Sequence, residues 1–378
     1  MQGSKVLFVV DTLSDGGAER FVSTCLSMLD RTRFQPRLAL LRRKTEYSLP
    51  EDVPMVVLGK SRPWHVPRTV SRLARWIEED RPDVVLSALH FPNVLTGEAL
   101  RWTRGRPVWI ARAASNPEKD DLGIQRLLAA RVYKRADRVL AGSAGVSRAL
   151  AQIYPFAEGK IRTLPNPTDF DRMDRMALDP IESSSKTRPT VLSVARLEPP
   201  KRYDLMIRAF ARARAKISAE LVLCGEGSLR GEIVRLVKSL GLSNDVRLVG
   251  LCKNPYAWMA RSDVFLLASD YEGLPNALVE SQGLGLPAVV TDCRYGPNEI
   301  IEPGITGLLV PPGDLDGLAE ALVQLLSSAG QRRTFGAAAR RRARKFFSAT
   351  RLKKPLMEIL EEACSQSVEE RSGMPSAR

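Results

Sequence analysis

Short apolar runs of strand length alternate with segments of helical periodicity along most of the chain. Residues 5–10, 37–41 and 55–58 are such runs, and segment 18–29 carries apolar side chains at helical spacing. Strands that alternate with helices predict a parallel sheet, because a crossover helix must carry the chain back before each parallel strand. The chain is therefore expected to adopt an α/β fold with doubly wound sheets.

This alternation occurs twice, with a polar segment of small residues at 179–189 between the two halves. A length of 378 residues is enough for two domains. We predict one Rossmann-like domain over 1–180 and a second over 187–345, with their strand ends facing each other across a cleft. A helix over 346–362 should pack back toward the first domain, and a polar tail over 365–378 should be disordered.

Composition narrows the class of protein. A hydrophobic content of 44% excludes a disordered chain, and the apolar run at residues 6–10 is too short for a secretory signal. No apolar run reaches the length of a membrane span. The five cysteines form no C-x-x-C pair, which argues against a disulfide framework and a zinc site. We expect a cytoplasmic protein, for which peripheral contact with the inner face of the cell membrane stays open.

The formal net charge of +14 favours anionic partners, namely nucleic acid, nucleotide phosphates or acidic lipid headgroups. A compositional bias toward arginine would produce the same charge, and the basic residues are widely spread. No basic motif with interleaved aromatic residues is present, so no nucleic-acid partner is expected.

Two acidic residues, Glu272 and Glu280, are separated by seven residues. Glu272 lies in a loop after a predicted strand, and Glu280 lies one turn inside a helix that begins at Asn276. Carboxylates in these positions can accept hydrogen bonds from the hydroxyls of a sugar and a ribose, and backbone N–H groups at a helix start can approach a ligand. The alternative is a capping glutamate and a solvated glutamate with unrelated roles.

The segment from Asp263 to Thr291 contains Asp270-Tyr-Glu-Gly-Leu-Pro-Asn-Ala-Leu-Val-Glu280 and resembles the E-x7-E signature of glycosyltransferase family four. The resemblance runs from Val6 to about Leu326 and implies a retaining enzyme of the GT-B fold. It also implies that Glu280 holds the ribose of the nucleotide. Contacts with the donor sugar are implied for Glu272, Gly273, Leu274, Pro275 and Asn276.

Two cations, Arg196 and Lys201, lie between a predicted strand and the next helix. Such a pair can clamp a diphosphate and neutralise its charge as it leaves, and the resemblance implies this role. The alternative is two ordinary surface cations. No acidic cluster of the D-x-D kind follows a strand, so we expect neither a metal nor a cofactor. Together with Glu272, these cations are the candidate catalytic residues.

Glycine-rich turns mark further candidate contacts. Gly16 and Gly17 follow the first strand and open a helix, where a phosphate can approach backbone N–H groups; they also resemble the GGAER start of relatives that build bacterial surface polysaccharides. Gly225-Glu226-Gly227 follows another strand and suits either a nucleotide or a plain strand-to-helix turn. The resemblance alone places Leu251 and Cys252 near the base.

The first domain offers fewer signals. His90 follows a predicted strand, where it either touches a substrate or is bonded locally. Many relatives carry a histidine after the next strand, where this chain has Arg112-Ala-Ala-Ser-Asn116. Arg112 and Asn116 are therefore candidates for supporting the reacting centre. A helix over 69–79 with an apolar face and flanking arginines either lies on a membrane or packs on its own sheet.

These observations predict transfer of a hexosyl or N-acetylhexosaminyl group from a nucleotide diphosphate sugar, expected to be a UDP-sugar. The acceptor is expected to be a glycan or a lipid-linked glycan of an envelope or exopolysaccharide pathway. Two alternatives stay open: a non-catalytic sugar-nucleotide-binding partner of another transferase, and a nucleic-acid-binding protein.

Overall fold

Two compact units make up the protein. The structure, a computed structural model, describes residues 3–14, 16–47, 49–60, 65–113, 116–120, 122–181 and 188–372, except for the side chains of 368–372. Unit 1 is formed by the chain up to Pro167 and again from Ala349, and unit 2 by Thr168–Ser348. Each unit contains a parallel sheet, which confirms the predicted architecture of two α/β domains.

Unit 1 contains a parallel sheet of seven strands in the order β3-β2-β1-β4-β5-β6-β7. The strands are β1 (Ser4–Val10), β2 (Phe34–Leu40), β3 (Met55–Val57), β4 (Val84–Ala88), β5 (Val108–Ala113), β6 (Arg138–Ala141) and β7 (Ile161–Thr163). The first six helices are α1 (Gly17–Met28), α2 (Val66–Asp80), α3 (His90–Ala99), α4 (Pro117–Asp120), α5 (Ile124–Arg135) and α6 (Ala144–Ile153). Strands β4 and β5 are buried along their whole length, as central strands of a parallel sheet covered on both faces should be.

Unit 2 contains a parallel sheet of six strands in the order β10-β9-β8-β11-β12-β13. The strands are β8 (Thr190–Val194), β9 (Glu220–Cys224), β10 (Val246–Gly250), β11 (Val264–Leu267), β12 (Ala288–Thr291) and β13 (Gly307–Val310). The helices are α7 (Phe170–Met176), α8 (Tyr203–Arg214), α9 (Arg230–Ser239), α10 (Pro255–Arg261), α11 (Asn276–Gly283), α12 (Pro297–Ile300), α13 (Leu315–Ser327) and α14 (Ala329–Phe347).

The division between the units falls at Pro167, earlier than the predicted boundary at residue 180. Helix α7 belongs to unit 2 because Phe170 packs against the face of α11 at Gly283, where an added Cβ would lie 1.9 Å from the Phe170 ring. Arg340 and Arg344 of α14 also form ion pairs with Asp174 of α7. The predicted boundary followed the change of composition at 179–189. The contacts of α7 with α11 and α14 instead place α7 in unit 2.

The last helix, α15 (Ala349–Ser372), returns to unit 1. Leu356 and Leu360 are fully buried in the same apolar cluster as Phe8 and Val84 of the unit 1 sheet. The helix is longer than the predicted segment 346–362 and continues into the predicted tail; residues 373–378 lie outside the described part of the chain. Among the described residues, none of the helices combines the length and apolar character needed to cross a bilayer.

Helix α2 settles one alternative left open by the sequence. Its apolar face is buried, with Leu73 and Ile77 at 0% and 1% exposure, and α2 packs against α3. The pattern of arginines around an apolar stripe is therefore that of a helix packed on its own domain. Helix α3 was not predicted because its buried residues, which include Asn93 and Thr96, surround the helix and leave no clear periodicity.

We expect Leu360→Ala to lower the free energy of unfolding by about 2–5 kcal/mol, because it leaves a cavity in the unit 1 core. Chemical denaturation of the purified chain measures this loss. Glu358→Ala changes an exposed side chain of the same helix and should alter stability by less than about 0.5 kcal/mol. Equal stability of Leu360→Ala and the wild type would mean that α15 does not contribute to this core.

Candidate functional site

Strand order identifies a ligand-binding edge in unit 2. Strands β9 and β10 extend the sheet on one side of β8, and β12 and β13 extend it on the other side of β11. The order of the strands therefore reverses between β8 and β11. In open α/β sheets, ligands bind outside the carboxyl ends of the strands at the point where the order reverses. The loops that follow β8 and β11 therefore frame the candidate site; they carry Arg196, Lys201 and Glu272.

The loop after β8 is anchored by backbone contacts with its neighbours. The amide of Leu197 donates to the carbonyl of Glu226 at 2.9 Å, and the carbonyl of Leu197 accepts from the amide of Leu229 at 2.9 Å. The Tyr203 hydroxyl donates to the Ala195 carbonyl at 3.0 Å. These bonds fix the path of the chain that carries Arg196.

Glycine residues make this anchoring possible. A Cβ at Gly225 would lie 1.9 Å from the carbonyl oxygen of Ala195, and one at Gly227 would lie 2.4 Å from that of Leu197. Both distances are too short for any side chain, so these glycines allow one loop to lie directly on the other. The Glu226 side chain accepts from Arg230 at 2.9 Å. The group that approaches these glycines closely is therefore the backbone of the loop after β8.

The loop after β11 is held by two further segments. The amide of Asp270 donates to the carbonyl of Pro200 at 2.9 Å, which ties it to the loop after β8. The amide of Glu272 donates to the carbonyl of Arg294 at 2.9 Å, and the amide of Tyr295 donates to the carbonyl of Glu272 at 2.8 Å. The backbone of Glu272 is consequently fixed on both sides.

Lys201 and Glu272 form an ion pair in which Nζ and Oε1 are 2.5 Å apart. The Ser269 hydroxyl donates to the same carboxylate oxygen at 2.7 Å. The two charged side chains are only 19% and 10% exposed, so water screens their interaction weakly. Sequence reasoning gave these residues separate roles and missed their direct contact, which joins positions 71 apart.

The remaining cations of the loop differ in their surroundings. Arg202 forms ion pairs with Asp204 at 3.0 Å and with Asp270 at 2.9 Å. The hydrogen bonds that Arg202 donates to these two carboxylates raise the pKa of Arg202 above its usual range, and the carboxylates compensate its charge. Arg196, by contrast, is exposed at the edge of the sheet. Among the described residues, no three His, Cys, Asp or Glu side chains are grouped so that they could hold a metal ion.

Helix α11 carries the second acidic residue of the motif. It begins at Asn276, as predicted, and Glu280 is buried, with 3% exposure. A buried carboxylate is not a solvated surface group, and Glu272 is engaged by Lys201. Neither carboxylate of the motif is therefore a solvated surface group. Residues 273–275 connect Glu272 to the start of α11. They contact Gly296, where a Cβ would lie 2.9 Å from the carbonyl oxygen of Gly273.

Leu251 and Cys252 follow β10 at the same edge of the sheet. Leu251 is 62% exposed, and the Cys252 thiol donates to the carbonyl of Gly250 at 3.8 Å. Interaction with Cys252 and burial raise the pKa of the Cys224 thiol at the end of β9, so that thiol stays protonated at neutral pH. An apolar side chain exposed at this edge is suited to a planar base.

Unit 1 has its own point of reversal, between β1 and β4. Gly16 and Gly17 follow β1 and begin α1, and His90 follows β4 as the first, half-buried residue of α3. A Cβ at Gly16 would collide with the carboxylate of Glu19, which folds back over the start of α1. This carboxylate lies where the helix N-terminus would attract an anion.

Arg112 is a fully buried cation at the end of β5. Its Nη2 donates to the Asn166 side chain at 2.6 Å, and its guanidinium lies 3.9 Å from the centre of the Phe21 ring. Burial lowers the pKa of Arg112 to about 10, so it remains charged at neutral pH. Asn116 is also buried, and it accepts from the amide of Glu118 at the start of α4. Residues 114–115 between them lie outside the described part of the chain.

Two more cations at this edge escaped the sequence analysis. Arg42, after β2, forms an ion pair with Asp11, and Lys60, after β3, has its Nζ 3.3 Å from the centre of the Phe91 ring. Burial lowers the pKa of Lys60. Their positions directly after two predicted strands were the available signal, because the carboxyl ends of parallel strands meet at one edge.

Fold and site together define a GT-B glycosyltransferase. A family model described as "Glycosyltransferase Family 4" matches residues 15–172, and one described as "Glycosyl transferases group 1" matches residues 174–342. The protein belongs to glycosyltransferase family four. The family, the fold and the transferase activity predicted from the sequence are thus confirmed.

Two proteins of Campylobacter jejuni are similar over nearly the whole chain. One is N-acetylgalactosamine-N,N'-diacetylbacillosaminyl-diphospho-undecaprenol 4-alpha-N-acetylgalactosaminyltransferase, 30% identical over 359 residues, which are 90% of this chain and 95% of that protein. The other is GalNAc-alpha-(1->4)-GalNAc-alpha-(1->3)-diNAcBac-PP-undecaprenol alpha-1,4-N-acetyl-D-galactosaminyltransferase, 26% identical over 371 residues, which are 95% of this chain and 98% of that protein.

A solved structure is similar in fold. The crystal structure of Anabaena Alr3699/HepE in complex with UDP and glucose matches with a TM-score of 0.79 and 18% identity. The match covers 95% of this chain and 100% of that chain.

We expect Gly225→Ala to displace the loop after β8 and to lower the free energy of unfolding by about 1–3 kcal/mol, because its Cβ would overlap the carbonyl oxygen of Ala195. Denaturant titration measures this change. Gly231→Ala is the matched control: its Cβ would meet nothing closer than 3.6 Å, and alanine favours the helix in which Gly231 lies. Stability of Gly225→Ala equal to that of Gly231→Ala would show that the two loops are not in tight contact.

Proposed function

We propose that the protein transfers a hexosyl or N-acetylhexosaminyl group from a UDP-sugar to a lipid-linked glycan of a surface polysaccharide. The observation that carries this proposal is the Lys201–Glu272 pair at the carboxyl edge of the unit 2 sheet. This pair supports the proposal, because a cation that can bind a diphosphate lies next to a carboxylate that can accept from sugar hydroxyls. The names of both Campylobacter relatives describe transfer of N-acetylgalactosamine to acceptors linked to undecaprenol through diphosphate.

The donor is proposed to bind along the loops after β8 and β11. Arg196 and Lys201 hold the diphosphate, and Glu280 accepts hydrogen bonds from the ribose hydroxyls. Glu272 and the backbone of residues 273–276 contact the sugar, while Leu251 and Cys252 lie against the base. The buried state of Glu280 supports this assignment, because a carboxylate withdrawn from water is pre-positioned and pays little to order itself on binding.

The transfer is proposed to retain the configuration at the anomeric carbon. The bond between that carbon and the diphosphate oxygen breaks, and the acceptor hydroxyl oxygen bonds to the carbon on the same face. The acceptor proton passes to the departing diphosphate oxygen. Lys201 and Arg196 stabilise the charge on the diphosphate, so that neither a protein nucleophile nor a metal ion is required. The engagement of the Glu272 carboxylate by Lys201 and Ser269 supports a positioning role for it rather than attack on the sugar.

Acceptor recognition is assigned to unit 1. Arg42 and Lys60 follow the neighbouring strands β2 and β3 at the carboxyl edge of its sheet, and Arg112 is the penultimate residue of β5 at the same edge. Arg112 keeps its charge at neutral pH, and a fixed cation at this edge suits the diphosphate of a lipid-linked glycan. Gly16, Gly17, His90 and Asn116 complete the proposed set of substrate contacts.

Transfer to a synthetic undecaprenyl-diphosphate acceptor tests the function. We expect one member of a panel of UDP-sugars to raise the melting temperature of the protein and to give a glycosylated product. EDTA should leave the rate unchanged, and NMR of the product should show the anomeric configuration of the donor. Binding of UDP-sugars without transfer or hydrolysis, with every acceptor offered, would instead identify a non-catalytic partner of another transferase.

We expect Lys201→Ala to lower turnover by about 100-fold or more, because it removes a cation from the charge that develops on the diphosphate. Steady-state kinetics with the accepted donor measure the effect. Lys216→Ala removes an exposed lysine of unit 2 outside the site and should leave turnover unchanged. If both variants turn over like the wild type, the proposed clamp at Lys201 is wrong.

A further inference from the structure

Helix α5 of unit 1 exposes an unusual face. Ile124, Leu127, Arg131 and Lys134 are all exposed, and at 3.6 residues per turn they fall within an arc of about 80°. The face is apolar at its start, where Ile124 and Leu127 are 73% and 65% exposed, and basic at its end. We call these four residues the α5 face.

The α5 face is not part of the unit 1 core. The opposite side of the helix, which carries Ala129, Val132 and Tyr133, is buried and supplies its packing. Helix α5 packs against α3 and against the turn at residues 155–160. The two exposed aliphatic side chains therefore contribute nothing to folding, and each leaves apolar area in water at a cost of about 25 cal/mol per Å².

More exposed apolar and basic groups lie on the segments that contact α5. Trp102, 74% exposed, follows α3, and Leu122 is exposed just before α5. Phe156 is exposed in the turn that packs on α5. Arg106, a few residues after Trp102, donates to the carbonyl of Arg135 at 2.6 Å, which ties this segment to the end of α5. A tryptophan, a phenylalanine and another leucine are therefore exposed on segments that contact or adjoin α5.

The charge of helix α5 itself has one sign. The helix contains four basic residues and no acidic residue. Within the described part of the chain, Arg126, Arg131 and Lys134 form no ion pair. The segments around α5 carry several acidic residues. Glu98 is paired with Arg101 and Arg135, and Asp137 with Arg106; Glu158 is exposed in the turn that packs on α5, and Glu118 and Asp120 lie in α4. The basic end of α5 is accordingly available to an external anionic partner.

We propose that the α5 face docks unit 1 on the surface of an anionic lipid bilayer. The aliphatic side chains enter the boundary between headgroups and acyl chains, while the arginine and lysine remain at the anionic headgroups. This division matches an α5 face that is apolar at one end and basic at the other. A nucleic acid fits less well, because Ile124 and Leu127 neither pair with phosphates nor stack on bases.

This inference goes beyond the proposed transfer reaction and is independent of it. Binding to a bilayer can be measured without a donor, an acceptor or turnover. The sequence pointed to α2 as the candidate membrane helix, and its apolar face is buried. The apolar side chains of the α5 face, in contrast to those of α2, are exposed and can enter a membrane.

Co-sedimentation of the full chain with vesicles tests the proposal. The wild type should bind vesicles of phosphatidylglycerol and phosphatidylethanolamine, bind less as salt is raised, and bind phosphatidylcholine vesicles weakly. Arg131→Gln/Lys134→Gln should lower the partition coefficient by about 25-fold, since each basic residue near an anionic surface contributes about fivefold. Ile124→Ser/Leu127→Ser should lower it by about tenfold or more.

Helix α9 of unit 2 provides matched controls. Arg235→Gln/Lys238→Gln removes the same two charges at the same spacing, and Val234→Ser removes an exposed aliphatic side chain. These variants should bind vesicles like the wild type, and all variants should keep its melting temperature. Hydrogen exchange should slow at residues 122–131 when anionic vesicles are added.

Three results would overturn the proposal. The first is failure of the wild type to bind anionic vesicles. The second is wild-type binding by both α5 variants. The third is loss of duplex DNA binding in Arg131→Gln/Lys134→Gln with unchanged vesicle binding, which would make the face a nucleic-acid site.

Discussion

The backbone contact between the loop after β8 and the Gly225–Gly227 turn is the constraint on which the candidate donor site depends. It fixes residues 195–197, and the chain then reaches Lys201, whose neighbour Pro200 accepts a hydrogen bond from Asp270. The loops after β8 and β11 are thereby held together at the point where the strand order reverses. Because the contact is made by backbone atoms at distances that exclude any Cβ, side-chain chemistry alone could not maintain it.

Local signals account for what could be predicted from the sequence. The predicted strands at 5–10 and 55–58 agree with β1 (Ser4–Val10) and β3 (Met55–Val57) to within one residue, because each is a compact apolar run, and α11 begins at Asn276 as the pattern predicts. One loop and one helical turn separate Glu272 from Glu280, so local structure determines the relative positions of the two residues. For this reason, the donor side of the candidate site could be proposed from the sequence alone.

Long-range contacts account for the rest. The pairing of Lys201 with Glu272 depends on the register of two strands and on two anchored loops. The spacing of these residues in the sequence indicates neither. Helix α3 lacks periodicity because it is buried on several sides, and α7 belongs to unit 2 through contacts with α11 and α14. The apolar pattern of α2 resembled an interfacial helix because burial against a protein and burial in a membrane require the same residues.

The Lys201–Glu272 pair also balances charge within the candidate donor site. An uncompensated charge in a partly buried site is costly, and removing one partner of a buried pair costs about 3–5 kcal/mol. Glu272 compensates Lys201 before the donor arrives. In the proposed reaction, the diphosphate takes over this compensation, and its negative charge repels the carboxylate. Glu272 is then free to accept hydrogen bonds from the sugar, so that arrival of the diphosphate and orientation of the sugar are coupled through a single lysine.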